Sequence, residues 1–140
     1  MRGTLTLLVI FLFTQISLAE TLKIDELYKK SEALLKESTA AKTEVERKTK
    51  LTDLKKALET TLDTHRAKEL EENSPEHEEI ALLFYNLEPV FIFAEDKKKK
   101  TTCAKTEHKI RSADAQGRPD SAPPTKNAAI ALDWLKVFCK

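Results

Sequence analysis

Glycine is almost missing from this chain: two occur among 140 residues, Gly3 and Gly117. Tight hairpins lean on glycine at positive φ, so a sheet built from short turns is a poor fit. Methionine occurs once, at position 1, and cysteine twice, at Cys103 and Cys139. No Cys-x-x-Cys-His stands anywhere, which argues against covalent haem. A lone Met1 leaves no methionine for Met/His haem ligation, so only a bis-histidine site would stay open. The glycine-framed serine motif and the phosphate-binding glycine loop are absent too. "DAQGRPD" lacks the oxygen ligands of a calcium loop at their spacing. None of Asn73, Asn86 and Asn127 begins a glycosylation acceptor. No cofactor is therefore expected.

Charge of one sign is also missing. The chain holds 24 basic and 23 acidic residues. A general nucleic-acid binder shows a clear basic excess, so that class of partner is disfavoured. Charged residues make up 34% of the chain and hydrophobic residues 41%. The hydrophobic ones are periodic, which separates this composition from that of a disordered segment.

The one long apolar run is near the start, in "MRGTLTLLVIFLFTQISLAE". Arg2 provides a positive n-region, the run from Leu5 to Ile16 follows, and Ser17 and Ala19 are the small residues before a cleavage point. This is the pattern of a secretory signal peptide at residues 1–19. The run is shorter than the ~20 residues of a spanning helix, so no membrane span is expected after cleavage. The expected location is periplasmic or extracellular. Removal of Arg2 balances the charges of residues 20–140. That stretch has the size of a single helical domain.

What is there is helical in period. Ile24, Leu27, Tyr28, Leu34 and Leu35 form one stripe, and Leu51, Leu54, Leu58 and Leu62 another, which His65 continues. Either one long helix or a hairpin fits residues 22–72. A rod of that length could not bury its own face, so the spacing predicts a break near Ser38–Lys42. Thr43-Glu44-Val45-Glu46 then supplies a capping box. From Ser74 the capping residue, Pro75 and three glutamates open a third helix, and Lys97–Lys100 suit its negative end. Its stripe, Ile80, Phe84, Leu87, Phe91 and Ala94, runs past Pro89. It predicts a kinked helix, with a short strand at Val90–Phe93 as the alternative. A shorter helix is expected over Thr102–Gln116, ended by Gly117 in the left-handed position. A proline-rich linker follows at about 118–125, and Thr125 caps a last helix over Lys126–Phe138. In that helix Ala128, Ala131, Leu132, Leu135 and Phe138 face inward, and Trp134 covers the edge. The expected fold is all-α, a small bundle of four or five helices with one disulfide.

Two cysteines in an exported chain permit one pairing, Cys103 with Cys139. It would staple the final helix, whereas a redox pair would want the Cys-x-x-Cys spacing that is missing here. Of the histidines, His65 and Glu69 stand four apart and could share a metal or a proton. His77, in "PEHEEI", and His108, in "AKTEHKI", read as solvated. An acidic stretch (Glu69, Glu71, Glu72, Glu76, Glu78, Glu79) precedes a basic one (Lys97, Lys98, Lys99, Lys100, Lys105, Lys109, Arg111). The basic end is the candidate recognition patch, facing an acidic protein or an anionic polymer. No catalytic or metal-ligating constellation emerges. The leading reading is an exported helical protein with a non-catalytic binding or structural role. The alternatives are a carrier of an apolar ligand lined by Phe84, Phe91, Phe93 and Trp134, and an enzyme of unfamiliar type using His65 and Glu69.

Overall fold

The computed structural model of the chain describes residues 22–68, 75–119 and 121–140. The signal-peptide segment, Ser74, Glu69, Glu71 and Glu72 lie outside the described residues. Five helices follow one another: α1 (Ile24–Ala40), α2 (Glu44–Lys68), α3 (Pro75–Glu95), α4 (Cys103–Ala115) and α5 (Lys126–Phe138). There is no strand among the described residues. No described helix is long and apolar enough to cross a membrane.

The break between α1 and α2 falls where the spacing places it. Thr43 Oγ1 accepts the Glu46 N–H at 3.2 Å, and Glu46 Oε2 accepts the Thr43 N–H at 3.2 Å. This reciprocal box satisfies two donors that a helix start leaves open. The hairpin is closed further by Ser38, whose buried hydroxyl donates to the Arg47 carbonyl. The Lys50 ammonium meets the Glu37 carboxylate across the same hairpin, which holds the ammonium's pKa up.

α3 is the centre of the bundle, packed against α2, α4 and α5. It continues through Pro89 to Glu95, so the strand alternative at Val90–Phe93 is not adopted. Pro89 has no N–H to give to the carbonyl of Tyr85 one turn earlier, so the helix runs on without that bond. Ile80, Leu87, Phe91 and Ala94 are buried as the stripe requires. Leu83 and Val90 are fully buried as well, while Phe84 is only half-buried, because helices pack on α3 from more than one side.

Trp134 differs from its expected place. It does not cover an edge: it is fully buried, and its Nε1–H donates to Ser31 Oγ at 3.0 Å. The other buried hydroxyls are satisfied locally, Thr61 to the Ala57 carbonyl and Thr106 to the Thr102 carbonyl. Buried polar groups without such partners would cost stability.

The proline-rich segment is tied down at both ends by Asp114, whose side chain is 10% exposed. Its carboxylate accepts from Arg118 Nη1 at 2.8 Å, from the Thr125 N–H at 3.0 Å and from the Thr125 hydroxyl. Arg118 Nη2 in turn donates to the Pro123 carbonyl at 2.7 Å. Thr125 thus caps α5 through the Ala128 N–H while being held itself. Gly117, at φ +73°, takes the left-handed position after α4, where a side chain would be strained.

The disulfide joins the first residue of α4 to the residue after α5, Cys103 to Cys139, with Cα atoms 5.9 Å apart.

Candidate functional site

Helix α3 runs out at Glu95, and Asp96 organises the turn that follows. Asp96 Oδ2 accepts the Thr101 N–H at 2.8 Å and Oδ1 accepts the Lys98 N–H at 3.1 Å. The Asp96 carbonyl accepts the Lys99 N–H at 3.3 Å. Thr102 then caps α4 through the Lys105 N–H. The chain between them is Lys97, Lys98, Lys99 and Lys100, all exposed. None of the four forms an ion pair among the described residues. Lys99 has φ +49°. A non-glycine residue there carries a steric cost of roughly 1–2 kcal/mol, which glycine would avoid.

The Thr101 N–H, above all, holds the Asp96 carboxyl below the ordinary aspartate range, with the Thr101 hydroxyl and the Lys98 and Lys100 N–H groups adding to it. A carboxyl depressed in the folded state contributes stability that is present above its unfolded value and lost as the pH falls through its folded value. The turn is therefore expected to hold at neutral pH and to loosen in acid, below about pH 4. Protection of the Thr101 and Lys98 amides, taken relative to their intrinsic exchange at each pH, should fall there, and Asp96→Asn should abolish that pH dependence. Protection that is unchanged across the acid range in the parent chain would contradict this role for Asp96.

The lysine turn meets two other parts of the chain. It borders a cleft of about 520 Å³ whose lining includes Arg47 and Lys48 from α2, Lys99 from the turn and Lys140 beyond α5. Cys103 lies in the same lining, so the disulfide fixes the last residues beside the turn. Two carboxylates temper this basic end. Glu44 pairs with Lys48 at 2.7 Å, and that ammonium, with Lys99 and Arg47 further off, keeps the Glu44 carboxyl below its ordinary range. Asp96 is engaged by the turn itself. Along the remaining predicted basic stretch, Lys105 and Lys109 are exposed, while Arg111 is paired with Glu107 at 2.9 Å.

Sequence spacing indicated the turn but not its neighbours. Arg47, Lys48 and Lys140 come from distant segments, and only the cysteine pairing hinted that Lys140 would lie near Thr102. At the far end of α3, Glu76 has a role beyond the helix dipole: its Oε1 accepts the Ile24 N–H at 3.1 Å, closing the start of α1.

The other candidates separate. His65 is half-buried and stacked on His77, with ring centroids 5.7 Å apart. His77 is thus partly buried rather than solvated. His108 is exposed on α4, 3.3 Å from the Ser112 hydroxyl. Glu69, the proposed companion of His65, lies outside the described residues. No group of three or more potential metal-ligating side chains occurs among the described residues. The four aromatic residues grouped by sequence do not share one cavity. Phe84 and Phe91 pack together with centroids 5.7 Å apart, Phe93 borders the basic cleft, and Trp134 is sealed in the core.

No family model, curated protein or solved structure matches this chain.

Proposed function

We propose that this chain is an exported, non-catalytic binding protein that meets an anionic partner through the Lys97–Lys100 turn. The observation that carries this reading is Lys99, a lysine held at φ +49° in a turn where glycine would be free of strain. Strained backbone positions of this kind cluster at functional sites. Four exposed lysines that form no ion pair among the described residues, on a turn braced by Asp96 and next to a disulfide, make a cationic surface. Such a surface binds by long-range attraction, which salt screens over a Debye length of about 10 Å at 0.1 M. Export is supported by the n-region, apolar run and small-residue site of residues 1–19, and by the disulfide.

The test is retention on immobilised polyglutamate. The oxidised protein should bind at low salt and elute as salt rises. A variant with Lys97→Ser, Lys98→Ser, Lys99→Gly and Lys100→Ser should pass through unretained with an unchanged circular-dichroism spectrum. Equal elution of the two proteins would defeat the proposal.

A further inference from the structure

α3 leaves one face open. Leu82, Tyr85 and Ile92 are 47%, 57% and 50% exposed, and with Pro89 they fall on one stripe at steps of three, four and three. Beside the stripe a groove of about 420 Å³ lies between α3 and α4, floored by Pro89, Thr106, Ile110 and Ala113. Its two rims differ in charge. The α4 rim carries His108 and Lys109, with Lys105 one turn before, and the α3 rim carries Glu88, the one carboxylate in the lining. Thr101 is part of its lining, which places the end of the lysine turn next to the groove.

We propose that this groove receives an amphipathic helix of a partner protein, its apolar side on the stripe and an acidic flank toward Lys105, Lys109 and the lysine turn. Two adjacent helices form the trough into which a third fits, with anchors at i, i+3 or i+4, and i+7. The stripe from Leu82 to Ile92 spans about 15 Å, the length of a three-turn helix. The carbonyl that Pro89 leaves without a helix donor lies beside the groove, at Tyr85, and offers an acceptor to a polar side chain of the partner. The rim charges select acid over base on the incoming flank. A bilayer fits a convex surface better than a trough, and a second copy docked face to face presents the same basic rim. The inference rests on the reading of the basic end as a surface for an anionic partner, and it names that partner's form.

The experiment is a display selection of helix-biased random peptides, about 14 residues long, on the oxidised protein, followed by fluorescence anisotropy of the enriched peptides. The expected peptides have apolar anchors at helical spacing and Asp or Glu along one flank. Ile92→Asp should weaken them about 30-fold or more. Tyr85→Lys serves the same purpose should that variant fail to fold. Selection on Lys105→Glu/Lys109→Glu should enrich Lys and Arg on the flank instead, a switch that a purely structural role for these lysines would not produce. Enriched peptides without an acidic flank, or indifferent to both Ile92→Asp and Tyr85→Lys, would overturn the proposal. So would a dimer in sedimentation that Ile92→Asp dissolves, or binding to phosphatidylglycerol vesicles through this face. Peptides weakened by Ile92→Asp but not by the four-position lysine-turn variant would leave the groove standing and remove the turn. The converse pattern would keep the turn and remove the groove.

Discussion

Trp134→Ala is expected to lower the free energy of unfolding by about 3–5 kcal/mol, the range for truncating a large buried aromatic residue. The side chain is fully buried, and its indole N–H ties α5 to Ser31 of α1, 103 residues away. Against a typical domain stability of ~5–15 kcal/mol, such a loss brings the fold close to its limit. The single replacement Ser31→Ala should cost about 1–3 kcal/mol, because it leaves the indole N–H buried without an acceptor. Trp134→Phe/Ser31→Ala should then cost less than the two single changes together, since the hydroxyl and the indole are removed as a pair. Urea unfolding with an unchanged m-value measures all of these. A Trp134→Ala penalty under 1 kcal/mol would mean that the indole does not organise the core.

The second large effect is expected at the disulfide. Cys103→Ser/Cys139→Ser should destabilise the chain by about 3.8 kcal/mol, the loop-closure entropy for a separation of 36 residues. A reductant should bring the parent protein to the same stability and leave the double variant unaffected. Amide exchange should quicken first at the end of α5, where the Cys139 N–H bonds to the Leu135 carbonyl at 3.1 Å. The basic end should loosen with it, because the bridge holds Lys140 at the cleft that Lys99 also lines. A midpoint unchanged by reduction would assign the restraint to packing alone.

Much of the fold was legible because helical signals are local. The scarcity of glycine, the leucine stripe of α2 and the capping residues Thr43 and Thr125 all act within a few residues of one another. The cysteine pairing was legible by elimination, there being two cysteines. What escaped is non-local. Hydrophobic period marks one face of a helix, so it hid the full burial of Trp134 and Val90 on helices covered from several sides. Nothing in "RPDSAPPT" reveals that Asp114 would hold Arg118 and Thr125 together, because the residues meet only after the chain has turned. The same holds for the candidate site. The four lysines were visible as a run, yet the left-handed Lys99, the bracing by Asp96 and the approach of Arg47, Lys48 and Lys140 are products of tertiary structure. The open stripe of Leu82, Tyr85 and Ile92 escaped as well, since the neighbouring helices decide which faces of an apolar helix are covered.

The most direct test of the binding account is a heteronuclear NMR titration of the oxidised protein with polyglutamate. The account predicts shifts of the amides of Lys97–Thr101, extending to Lys140 and to Lys48 across the cleft, that disappear at high salt. Shifts confined to another face, such as that of α1 and α5, or no shifts at low salt, would contradict it.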